Sequence, residues 1–117
     1  MQPHLKELTP TELHDALREH RVVLIDVREP REYVNERIHG ALLFPLSTFD
    51  PLALPAGERP VVLHCGSGKR SAMAVATCIE AGVPVTTHLK GGLLAWKHAH
   101  FPTVTLDPGT GAVVDRE

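Results

Sequence analysis

A chain of 117 residues with 43% hydrophobic and 22% charged side chains can bury one modest core, which favours a single globular domain. Its formal net charge of −2 and pI near 6.4 supply no general attraction for nucleic acid or an anionic membrane, so neither is expected as a partner. Two cysteines are too few for a disulfide scaffold, Met1 to Glu7 lacks an apolar signal core, and no apolar run approaches a membrane span, so the expected location is cytoplasmic.

Thr9-Pro10-Thr11-Glu12 predicts a helix start, with Thr9 as N-cap, Pro10 at the first helical position and Glu12 completing a capping box; the helix should run to about Glu19. Val22 to Val27 is β-branched and apolar without alternation, as in a strand covered on both faces of a parallel sheet, and Asp26 lies near its C-terminal end. Pro30 to Glu36 reads as a short helix, and Ile38 to Pro45 as a turn and a brief strand. Ser47 is expected to cap another short helix that Pro51 and Pro55 keep from lengthening.

Pro60 to His64 predicts a strand that ends at Cys65. Gly66-Ser67-Gly68-Lys69-Arg70-Ser71 follows as a tight basic loop, and Ser71 to Ala81 as a helix stopped by Gly82 at C′ and by Pro84. Val85 to Leu89 reads as a last strand, Gly91-Gly92 as a turn and Leu93 to Ala99 as a final helix. Strands alternating with helices imply an α/β fold, a mainly parallel central sheet with helices on both faces, and ligands bind such sheets outside the carboxyl ends of the strands, where Cys65 stands. Beyond Thr103 the turn residues of Asp107-Pro108-Gly109 read as an exposed tail, flexible or docked through Val113-Val114.

In a turn of this kind successive backbone N–H groups can converge on one point, and a helix N-terminus adds partial positive charge, so the position favours an anion such as a thiolate. Read as a mere small hydrophobe, Cys65 would leave the two glycines and the paired cations unexplained. Cys78, mid-helix among apolar residues, reads as core, and Trp96 likewise. Asp26 and Arg28 are open between orienting the loop and forming a structural ion pair. The eight histidines show no metal-ligand spacing, and His64, adjacent to Cys65 on a strand, should point to the opposite face, so neither a metal nor a cofactor is expected.

Leu24-Ile25-Asp26-Val27-Arg28-Glu29 with Glu32-Tyr33, then Arg37-Ile38-His39-Gly40-Ala41 with Pro45, resembles the N-terminal signature of the rhodanese superfamily of sulfurtransferases. Gly91-Gly92-Leu93-Leu94-Ala95-Trp96 resembles its C-terminal signature, and Cys65 to Arg70 its six-residue active-site loop. The resemblance implies a rhodanese domain over residues 4–103 and a tail over 104–117. It also implies a thiosulfate sulfurtransferase in which Cys65 is catalytic and carries sulfur as a persulfide. Gly66, Ser67, Gly68, Lys69, Arg70 and Ser71 would bind a small anionic donor, thiosulfate or similar, with cyanide, a cellular thiol or a protein as sulfur acceptor.

Three other readings compete. A nucleotide P-loop fails, because its first glycine position is Leu63 and Arg70 follows Lys69. A cysteine phosphatase or arsenate reductase would place five residues between cysteine and arginine, where this chain has four. A non-catalytic rhodanese-like interaction module stays open, since fold resemblance does not exclude it.

Overall fold

The computed structural model describes residues 3–116; Met1 and Gln2, at the start of the segment expected to lack a signal, and Glu117, at the end of the expected tail, lie outside the described residues. Five parallel strands form the central sheet: β1 (Lys6–Leu8), β2 (Val23–Asp26), β4 (Leu42–Leu43), β5 (Val61–His64) and β6 (Thr87–Leu89), in the order β1-β6-β5-β2-β4. The two central strands read as continuous apolar runs because both faces are covered. Leu24 and Val62 pack on one face with Leu13 and Ala16 of α1 (Pro10–Arg18) and Leu93 and Trp96 of α4 (Gly92–His98). Ile25 and Leu63 pack on the other face with Ala74, Val75 and Cys78 of α3 (Lys69–Glu80). No helix among the described residues is long and apolar enough to cross a membrane.

The capping box of α1 forms as expected: Glu12 N–H donates to Thr9 Oγ1 at 3.2 Å and Thr9 N–H to Glu12 Oε1 at 2.9 Å. A second box opens α2 (Pro30–Asn35), with Glu29 as the capping residue. The helix expected to be capped by Ser47 is instead two separate 3-10 turns, Leu46–Thr48 and Pro51–Ala53. Asp50 caps the second through Leu52 N–H, while Ser47 lies inside the first and donates its hydroxyl to Glu29 Oε1 at 2.7 Å. Proline at 51 removes the donor a continuing helix would need, which is why the turns stay separate.

Two further corrections concern boundaries. Helix α3 begins at Lys69, two residues before the expected Ser71. Strand β6 is not the last: Thr103–Leu106 (β7) and Val113–Arg116 (β8) form an antiparallel hairpin, and β7 also pairs antiparallel with Glu36–Arg37 (β3), making a small second sheet. The segment expected as a tail, flexible or docked, is docked as paired backbone, with Val104 of β7 buried at 3% exposure. Thr103 Oγ1 ties its start to Glu36 Oε2 at 2.6 Å.

Candidate active site at the carboxyl end of the central strand

Strand β5 delivers Cys65 to the carboxyl edge of the sheet, and Gly68 turns the chain back at φ +100 so that α3 can start. That left-handed conformation is one a residue with Cβ resists. It aims the Gly68 N–H at Cys65 Sγ, 3.1 Å away, and the first turn of α3 adds the Ser71 N–H at 3.3 Å. The sulfur thus occupies the place of an N-cap side chain, which Gly68 does not have. The early start of α3 follows, because its cap comes from three residues upstream.

The loop is clamped from its far side by α4. Leu93 N–H donates to Cys65 O at 2.8 Å and Leu94 N–H to Gly66 O at 3.0 Å, so the first turn of α4 fixes two loop carbonyls. Glycine is obligatory at 92: its φ is +62, and a Cβ there would stand 2.5 Å from Cys65 O and 2.6 Å from Gly66 C. This gives the Gly91-Gly92 pair a job beyond the expected turn.

Burial pushes the Cys65 thiol up, yet the Ser71 hydroxyl and the N–H groups of Ser71, Gly68 and Ser67 outweigh it and hold the thiol below its ordinary range. Cys78, buried without such donors, is pushed up and belongs to the core. Cys65 itself is fully buried, at 0% exposure.

The expected loop residues do not share one environment. Ser67 and Lys69 are exposed, Gly66 and Arg70 are half-buried at the rim, and Gly68 and Ser71 lie beneath with the sulfur. Arg70 is not an unengaged cation: its Nη1 and Nη2 donate to Glu32 Oε1 and Oε2 at 2.8 and 3.0 Å, a forked pair between α3 and α2. Arg70 holds the Glu32 carboxyl down to about 2. Glu32 lies in a signature of the sequence, but nothing there joins it to the loop, because 38 residues separate it from Arg70.

On the opposite face of the sheet, Asp26 and Arg28 form a buried forked pair, with Arg28 Nη2 at 2.8 Å from Asp26 Oδ2. Arg28 also donates to Glu36 O at 2.6 Å, which ties β2 to β3. Burial pushes the Asp26 carboxyl up, but His64 and Arg28 more than offset it and leave it well below the usual range. His64 points to this face as expected, with Nε2 3.4 Å from Asp26 Oδ2, so it is no base for Cys65. Trp96 is core, its Nε1–H satisfied by Pro102 O at 2.8 Å. The residues that sequence reasoning missed entirely are His88 and Glu7: His88 Nδ1 lies 2.7 Å from Ser71 Oγ, and its Nε2 lies 3.0 Å from Glu7 Oε2.

Outside the loop, Ser67 and Gly91 border a shallow apolar hollow of about 590 Å³ that takes in Pro10, Leu94 and Ala95. A more enclosed cavity of about 530 Å³, bordered by His14, His20 and His39, opens at the amino ends of the strands, away from Cys65. Among the described residues no cluster of three or more His, Cys, Asp or Glu is placed to hold a metal ion.

Residues 9–99 match the family of the rhodanese-like domain. An uncharacterized protein of Synechocystis, slr1261, is 45% identical over 98 residues, which are 83% of this chain and 55% of that protein; the chain thus spans about half the length of this relative. The thiosulfate sulfurtransferase GlpE of Stutzerimonas stutzeri is 29% identical over 87% of this chain and 94% of its own. The solution structure of the rhodanese-like domain of Alr3790 from Anabaena superposes with a TM-score of 0.74 at 25% identity, covering 100% of this chain and 90% of that one. With the strand order, the N–H-lined cysteine loop and these likenesses together, the chain belongs to the rhodanese-like domain family.

Proposed function

We propose that this protein is a thiosulfate sulfurtransferase acting through a persulfide on Cys65, in a reducing compartment such as the cytoplasm that would suit its two free thiols. The observation that carries the reading is the convergence of the Gly68 and Ser71 N–H groups on Sγ at 3.1 and 3.3 Å, an arrangement suited to negative charge on sulfur. The thiolate attacks the outer sulfur of thiosulfate. A new S–S bond forms, the bond from that sulfur to the sulfonate breaks, and sulfite leaves with the electron pair. A thiolate or cyanide acceptor then attacks the outer sulfur of the persulfide and returns Cys65 as the thiolate, a two-step exchange with no external redox partner. Lys69 and the outer edge of Arg70 would draw in the dianionic donor, while the apolar hollow beside Ser67 offers room for the organic part of a larger acceptor.

The sulfurtransferase named among the relatives supports this assignment. The complete burial of Cys65 favours a second reading, a binding module that does no chemistry. Intact mass after incubation with thiosulfate separates the two. The enzyme reading expects one added sulfur atom that cyanide removes and that Cys65→Ser abolishes; an unchanged mass would support the binding module.

A further inference from the structure

The loop sulfur is joined to a deeper row of polar groups that persulfide exchange does not itself require. Ser71 Oγ lies 3.5 Å from Sγ and 2.7 Å from His88 Nδ1, and the other nitrogen of that ring lies 3.0 Å from Glu7 Oε2. Three elements supply these groups: α3, β6 and β1, with Glu7 and His88 paired directly in register across the last two. The His88 side chain is 3% exposed and that of Glu7 is 45%, so the row runs from a sealed sulfur to a surface carboxylate.

The hydrogens in this row can be assigned by counting donors and acceptors. A Glu7 carboxylate only accepts, so Nε2 of His88 carries the hydrogen and Nδ1 of the neutral ring is an acceptor. Ser71 has one hydroxyl hydrogen, and the 2.7 Å contact to Nδ1 claims it over the Gly68 carbonyl at 3.3 Å. A lone pair on Ser71 Oγ is then left facing Sγ, where it accepts from the Cys65 thiol. Every hydrogen in the row points outward from the sulfur.

We propose, on the reading of Cys65 as the sulfur-carrying nucleophile, that Ser71, His88 and Glu7 are a proton relay that withdraws the Cys65 thiol proton before attack. The S–H bond breaks and leaves its electron pair on sulfur. Ser71 Oγ takes that proton and passes its own to His88 Nδ1. The products are a thiolate that accepts from the Ser71 hydroxyl, and an imidazolium held between Ser71 Oγ and the Glu7 carboxylate. No net charge is created, and no outside acid or base is consumed. His88 and Glu7 act through Ser71 and are positioning residues. Among the described residues, the titratable groups facing His88 are Glu7 from β1 and, through Ser71 of α3, Cys65; β5 presents Leu63 in register, and Thr87 and Leu89 flank it on its own strand.

The test is the pH dependence of Cys65 alkylation by iodoacetamide, followed on the Cys65 peptide by mass so that Cys78 does not intrude. The wild-type profile should show two coupled steps, whereas His88→Asn should show one. His88→Asn should also react about tenfold more slowly near neutral pH, the change that accompanies a one-unit rise in thiol pKa. Adding His88→Asn to Ser71→Ala should cost nothing further, because the row is already cut; a merely structural His88 would add its own loss. Glu7→Gln, at the exposed sheet edge, should slow alkylation in the same direction by less and remains informative if His88→Asn does not fold. Profiles of His88→Asn and Glu7→Gln that superimpose on wild type would overturn the relay. Because alkylation needs no sulfur donor, a responsive profile in a protein that never takes sulfur from thiosulfate would sink the enzyme reading alone. Persulfide formation with unmoved profiles would sink the relay alone.

Discussion

Gly92 shows how narrowly one residue can be constrained. It has no polar group to offer, but its missing Cβ lets α4 come close enough to donate two N–H groups to the carbonyls of the cysteine loop. Gly92→Ala would drive a methyl into the backbone at 65 and 66 and hold a side chain at positive φ. Chemical denaturation should show a loss of about 1–3 kcal/mol, the usual range for overpacking a fitted site. The alkylation profile of Cys65 should move to higher pH in the same variant, because a displaced loop no longer aims its N–H groups at the sulfur. Unchanged stability with an unchanged profile would mean that the loop is softer than this packing implies.

At the scale of elements, the pairing of Arg70 with Glu32 couples α3 to α2 across the rim of the site. About a third of each side chain is exposed, so the pair contributes little to stability, on the order of 1 kcal/mol or less. Its larger consequence is electrostatic: Glu32 neutralises a cation at the rim above Cys65, where the proposed function would bring an anionic donor. Glu32→Gln keeps the fork's neighbour in place and removes the opposing charge. It should lower KM for thiosulfate at low ionic strength, with the difference shrinking as salt is added. Steady-state kinetics over a salt series would check this, and an unchanged KM would assign Arg70 to holding α2 and α3 together.

For the molecule as a whole, Asp26 and Glu32 are the most strongly shifted of the carboxylates that link stability to pH. Glu36, despite its burial, is held down in the same direction by Lys97 and Thr103, and Glu12 by Thr9. Asp26 and Glu32 titrate below their ordinary range in the folded state, so protons bind the unfolded chain more readily. Their contribution is fully present above the ordinary carboxylate range, near pH 4, and is lost as pH falls through the folded values, with Glu32 titrating at about 2. Denaturation midpoints should therefore be level from neutral pH down to about 5 and fall steeply below about 4. The fall should be dominated by Asp26, whose protonation leaves the buried Arg28 guanidinium, only 6% exposed, without its counter-charge. A midpoint that holds constant into strong acid would contradict the pairing of both carboxylates.

What was legible in the amino-acid sequence was whatever depends on neighbours along the chain. The capping box at Thr9 and Glu12, the unalternating strands around Asp26 and Cys65, and the stop at Gly82 are set by contacts within about four residues, and they appear in the structure close to where they were read. The cysteine loop was legible for the same reason, its glycines, cations and thiol lying within six consecutive residues. Tertiary structure alone decided which groups meet across the sheet. Glu32 reaches Arg70 over 38 residues, Glu7 reaches His88 over 81, and β3 meets β7 only after the chain has closed on itself. None of these pairs leaves a local spacing or period to read, because each is fixed by strand order and register or by how the helices seat on the sheet, which come into being only when the apolar faces pack.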